Sequence, residues 1–236
     1  MLIYIIGLCA SFAAGAWFIL KPPAEKKWIF LFLSAGGAFL MTVIFTHILP
    51  EIFEVIPTTA GFALLAGFLI QILLENYSKG IEHGHAHSTT SRRKLFISYA
   101  ALCLHALIEG MPLASAIDGI GTAFSSQLAL GIMLHKIPVA ITLSVLLSNS
   151  GVSKNQAMIW LLGFILCTVV GSGVQYSIGE SMGERATELM FVSLGLTVGI
   201  LLHVSTTILY ESSDHHKLSP SRVLAILAGV AIALLS

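Results

Sequence analysis

Long apolar runs alternate along this chain with short polar breaks, and the runs exceed what the helices of a water-soluble core require. Eight stand out, at about 2–20, 28–49, 60–76, 95–117, 125–148, 155–177, 189–210 and 221–236. A helix needs roughly 20 apolar residues to cross a hydrocarbon core; most of the runs reach that length, and the third and eighth are short. Turn-forming residues fall between them: Lys21-Pro22-Pro23, Pro57, Asp118-Gly119, Asn149-Ser150-Gly151, Gly179 and Ser219-Pro220. The first run is followed, not preceded, by basic residues, so it reads as a retained helix rather than a signal peptide. The pattern predicts an all-α integral membrane protein with eight transmembrane helices. It forms one domain over residues 1–236, with its longest loop at about 77–94.

Composition agrees, since 10 % of residues are charged against about 25 % in soluble domains. Twelve Lys+Arg balance twelve Asp+Glu, which leaves no electrostatic basis for binding nucleic acid. Cys9, Cys103 and Cys167 lie inside apolar runs without paired spacing, so they read as small buried hydrophobes. The basic residues set an orientation. With the N-terminus outside, Lys21, Lys26, Lys27, Lys79, Arg92, Arg93, Lys94, Lys154, Lys217 and Arg222 all fall on the inner side. Arg185 alone falls outside, and Lys136 lies within a span. Both termini are therefore expected to be extracytoplasmic and the 77–94 loop cytoplasmic.

Ionisable residues inside the spans are few and grouped, and such residues normally mark a pathway or a site. The fourth span carries His105 and Glu109 at i,i+4, which puts imidazole and carboxylate on one helix face. The fifth carries His135-Lys136-Ile137-Pro138. Each histidine lies about ten residues into its span, so both are roughly 15 Å deep on antiparallel neighbours. His105, Glu109 and His135 thus form a candidate metal site. Pro138 frees the carbonyl of Leu134 at the same depth.

Weaker candidates lie nearer the surfaces. His47 and Glu51, followed by Glu54, could gather cations at an entrance or simply end a helix. His83, His85 and His87 alternate along the cytoplasmic loop, as an accessory metal site or as a polar tether. His203 reads as a packed histidine or, with Glu211, Asp214, His215 and His216, as part of an exit.

These features together resemble the ZIP family of divalent metal transporters. The shared elements are eight spans, a His-containing loop after span three, and the motifs His47-Ile48-Leu49-Pro50-Glu51, His105-x-x-x-Glu109-Gly110 and His135-x-x-Pro138. The His-Lys-x-Pro run looks like one branch of that family. The resemblance implies a ZIP-like helix bundle with His105 and Glu109 as span-four ligands and His135 as the first span-five ligand. Ala106, Lys136 and Val139 depart from the polar or acidic residues many members carry there. A pattern of two bridged metals is then reduced to one, either with the Lys136 ammonium standing in for the second ion and holding Glu109 anionic or with Lys136 neutral and desolvated.

The expected function is uptake of a divalent cation, most readily Zn²⁺, through a cell (plasma) membrane into the cytoplasm. The family implies alternating access by an elevator-like movement of spans 1, 4, 5 and 6 past spans 2, 3, 7 and 8. Gly163, Gly171, Ser172 and Gly173 of span six suit close helix packing. No resident cofactor is expected, because the metal is cargo. The expected partners are divalent metal ions and the lipid bilayer, with no nucleic acid and with a homodimer as an option. Two readings share the site: a membrane-embedded zinc-dependent hydrolase, against which no His-Glu-x-x-His stretch occurs, and a metal sensor without flux.

Overall fold

The computed structural model describes residues 2–21, 27–78, 91–114, 126–211 and 219–235. Among them the secondary structure is wholly helical and forms eight rods. These are α1 (Leu2–Leu20), α2 (Lys27–Val43, a π turn Ile44–Ile48, then Leu49–Val55), α3 (Ala60–Ser78), α4 (Arg92–Gly110), α5 (Ser126–Asn149), α6 (Lys154–Met182), α7 (Ala186–Glu211) and α8 (Pro220–Leu235). The six rods α2 to α7 are long and apolar enough to cross a membrane, whereas the apolar stretches Tyr4–Leu20 and Pro220–Leu235 are shorter. Large apolar side chains point outward, including Phe62 at 76 % and Trp28 at 73 % exposure. A surface of that kind is disfavoured in water and suits lipid. The protein is therefore an integral, multi-pass membrane protein.

The observed helices differ from the sequence expectation at three places. Pro50 does not close the second span. Leu49 N–H reaches back to the Ile44 carbonyl, so the ladder widens by one residue there. The helix then resumes with Pro50 in its first turn, where a missing N–H does no harm. Gly179 does not break α6, which runs on to Met182 and ends at Gly183. Gly183 has φ +56°, the left-handed region glycine tolerates. Arg222 is not a loop residue. From the first turn of α8 its guanidinium donates to Ser34 Oγ (3.1 Å) and to the carbonyls of Ile208 (2.9 Å) and Leu209 (2.7 Å) in the last turn of α7.

The rods sort into two sets by what they touch. α1 lies along α5 and α6, and α4 along α6; α3 lies along α7, and α2 along α8 and α7. The sets meet mainly where α2 crosses α5 and α3 crosses α4, with smaller contacts of α7 on α4 and α6. α5 is the central rod: 83 % of its most apolar stretch is buried, against 28 % of that in α3.

Glycines mark how tightly each set is packed. A Cβ added at Gly110 would strike the Thr168 carbonyl, and one at Gly171 the Leu107 carbonyl, both between α4 and α6. Gly67 and Gly199 make the same kind of backbone contact between α3 and α7, as does Gly229 on α8 against Ala35 of α2. All these backbone-to-backbone approaches lie within one set or the other. Across the boundary, Gly36 of α2 would hold its Cβ 3.7 Å from the Leu134 carbonyl, an ordinary contact, and Gly131 of α5 faces the Leu40 side chain.

Of the small residues in α6, Gly171 is at a crossing whereas Gly173 has open space. Gly171→Ala should therefore cost about 1–3 kcal/mol, the usual penalty of overpacking. A thermal melt in detergent should show a Tm lower by several degrees, whereas Gly173→Ala should melt with the wild type.

Candidate metal centre

The fourth span positions two of the three site residues. α4 begins with Ser91 as N-cap, its hydroxyl accepting from Lys94 N–H. It ends one residue past Glu109, where Ser172 Oγ of α6 donates to the Gly110 carbonyl at 2.8 Å. Between these ends His105, Ala106 and Glu109 share the buried face. α5 continues unbroken through Pro138 and brings His135 and Lys136 to the same depth. The carbonyl of Leu134 that Pro138 cannot bond faces Gly36.

The result is a compact cluster. One ligand atom each from His105, Glu109 and His135 lies within 4.8 Å of the others, and all three residues are buried. The two imidazole centroids are 6.0 Å apart with the rings edge to face. His105 Nε2, Glu109 Oε1 and His135 Nε2 make no hydrogen bond among the described residues. Buried polar atoms are normally paired, so three buried residues in one cluster, each with an unpaired ligand-type atom, are what a cation needs. Two imidazole nitrogens and a carboxylate oxygen suit zinc and, less well, other divalent transition metals.

The second carboxylate oxygen is occupied. Lys136 Nζ donates to Glu109 Oε2 at 2.6 Å, with both side chains at most 1 % exposed. The ammonium also stands 4.9 Å over the Phe164 ring of α6. Lys136 thus occupies Oε2 of Glu109, while Oε1 has no hydrogen-bond partner among the described residues.

Sequence reasoning missed two residues of α3. Gln71, fully buried, accepts a hydrogen bond at 3.0 Å from His105 Nδ1. Glu75, one turn further, pairs with His203 of α7 at 3.3 Å, and Phe68 packs edge-on to the His203 ring at 5.0 Å. His203 is therefore a packed and paired histidine. The signal was present as Gln71-Ile-Leu-Leu-Glu75, two polar residues at i,i+4 in an otherwise apolar run.

The remaining candidates stand apart. His47 is exposed in the π turn, where Thr46 Oγ1 accepts from its Nδ1 at 2.7 Å while donating to the Thr42 carbonyl. Neither His47 nor Glu51 belongs to the buried cluster. His83, His85, His87, Asp214, His215 and His216 lie outside the described residues, as does the Glu211 side chain.

Fold and cluster together define a polytopic helical membrane protein with a buried cluster of side chains that could hold a metal ion. The chain belongs to the ZIP zinc transporter family, which matches residues 82–236, a range that holds His105, Glu109, His135 and Lys136. It is 26 % identical over 153 residues to zinc transporter ZIP9-A of Xenopus laevis, covering 62 % of this chain and 50 % of that one. With zinc transporter ZIP9 of Macaca fascicularis it shares 31 % over 108 residues, covering 44 % and 46 %. With zinc transporter ZIP1 of Danio rerio the figures are 25 % over 151 residues, 63 % and 47 %. The chain spans about half the length of the curated relatives it matches. These relatives carry the names of transporters, and the hydrolase alternative gains no support from them. Glu109, which would have to activate water in such an enzyme, is engaged by Lys136.

Breaking the ion pair from one side should be costly. Lys136→Met leaves a buried carboxylate uncompensated, a loss of about 3–5 kcal/mol. Adding Glu109→Gln to it should recover most of that loss. Thermal or denaturant unfolding of the two variants in detergent measures the difference; equal destabilisation would mean that the pair is not coupled.

Proposed function

We propose that this protein carries a divalent cation, most readily Zn²⁺, across the plasma membrane into the cytoplasm. The observation that carries the reading is the buried trio His105, Glu109 and His135, which brings one ligand atom of each within 4.8 Å of the others and leaves each residue with a buried atom that has no hydrogen-bond partner. The names of the ZIP9 and ZIP1 relatives support zinc as the cargo. The imbalance of basic residues supports an orientation with both termini outside.

The core site takes one ion. Lys136 supplies the positive charge that a second metal would otherwise bring to Glu109 Oε2, and it keeps the carboxylate anionic for the first. This substitution accords with the His-Lys-x-Pro branch of the family. His47 and Glu51 serve as an outer collecting point. His83, His85 and His87 take up metal delivered inside, and the release side includes His203, Glu211, Asp214, His215 and His216.

Movement is elevator-like: α1, α4, α5 and α6 travel as a body past α2, α3, α7 and α8. Two features support it. All three metal ligands belong to the first set, and the backbone-tight glycine contacts lie within sets rather than between them. A site near the middle of the membrane exposed in turn to each side is the general scheme of such carriers.

Two measurements test the proposal. Purified protein in liposomes should move zinc, and His105→Ala or His135→Ala should abolish most of that flux while the protein still folds. Wild-type flux in either variant would remove the site assignment. Converting His83, His85 and His87 together to Ser should leave substantial flux, and that variant should bind one zinc per chain at the core. Two core ions would contradict the role given to Lys136.

A further inference from the structure

His105 is the one metal ligand for which the structure records a partner outside the set that carries it. Its Nδ1 donates to Gln71 Oε1 at 3.0 Å, and Gln71 lies on α3 in the opposite set. Both side chains are buried, Gln71 completely. A neutral imidazole carries its proton on one nitrogen only. A proton held on Nδ1 leaves Nε2 with a free lone pair, and Nε2 is the His105 atom without a hydrogen-bond partner. His135, by contrast, has no recorded hydrogen bond to the opposite set among the described residues.

Resting on the transport reading above, we propose that Gln71 is the positioning residue of the metal site. It selects the His105 tautomer that presents Nε2 to the cation and fixes the ring plane. Because it belongs to the other set, it also makes tight binding a property of the arrangement in which α3 and α4 are engaged. Once α4 moves away from α3, His105 loses this acceptor, and the site loosens its hold on the ion without any change in its own ligands. Partners of metal-bound histidines commonly change affinity 10–100-fold when removed.

The test compares Gln71→Met, Gln71→Asn and Gln71→Glu with wild type, in equilibrium zinc binding to the full chain in detergent and in zinc uptake by liposomes. Methionine keeps the length without the oxygen, asparagine stops one methylene short, and glutamate keeps an acceptor in place. Met and Asn should each weaken zinc binding and raise KM about 10–100-fold with Vmax kept or increased. Glu should restore KM to near the wild-type value. Asn provides a second reading should Met lose its fold. Wild-type affinity and KM in the Met or Asn variant would overturn the proposal. So would a Glu variant as weak as Met, since a purely packing role gives no rescue by an acceptor. Wild-type protein that binds zinc but moves none would defeat the transport reading alone, because the binding comparison still decides the role of Gln71.

Discussion

A carboxylate in the middle of a bilayer must be neutralised, and here Lys136 meets that demand for Glu109. The pair is buried on both sides, at 2.6 Å. Neither charge could be tolerated alone at that depth, and the pair joins α4 to α5. It also divides the carboxylate. Oε2 is committed to the ammonium, so only Oε1 is left to face the imidazoles. The Phe164 ring under the ammonium brings α6 into the same arrangement. The set α1, α4, α5 and α6 is therefore held together at its centre by electrostatics and, at the α4–α6 crossing, by glycine contacts that leave no room for a side chain.

Much of this was legible in sequence because it follows from arithmetic. The i,i+4 spacing puts His105 beside Glu109, and equal distances into antiparallel spans put His135 at their depth, with Lys136 carried along. Eight apolar runs became eight rods, with ends shifted by a few residues. What escaped depends on neighbours distant in the chain. Gln71 looked like a tolerated polar residue because nothing nearby in sequence indicates that His105 packs against it. Glu75 and His203 are separated by two spans and meet only because α3 lies along α7.

The errors in helix ends have local causes. Pro50 looked like a stop because proline breaks an ordinary α-helix, but a widened turn before it removes the conflict. Gly179 and Gly183 are indistinguishable by type, and only Gly183 adopts the positive φ that ends the helix. Arg222 counted as a loop cation under the positive-inside rule because the rule sees charge and not partners. In the structure its charge is used against carbonyls at the end of α7.

The boundary between the two sets is polar in a particular way. Besides Gln71 to His105, Ser98 of α4 donates to the Tyr77 carbonyl of α3 at 2.9 Å, and Thr197 of α7 donates to the Ile108 carbonyl of α4 at 3.0 Å. All three involve α4. The Ser98 and Thr197 bonds use backbone carbonyls as acceptors, and a helix presents such a carbonyl on every turn. Both acceptors lie in the last turn of their helices, Tyr77 beside Ser78 and Ile108 before Gly110, where carbonyls lack an α-helical partner. The His105–Gln71 contact instead joins two side chains, with Gly67 a turn before Gln71 and Glu75, held by His203, a turn after it. Of these three contacts, the one from Gln71 is the one that reaches a residue of the candidate metal centre.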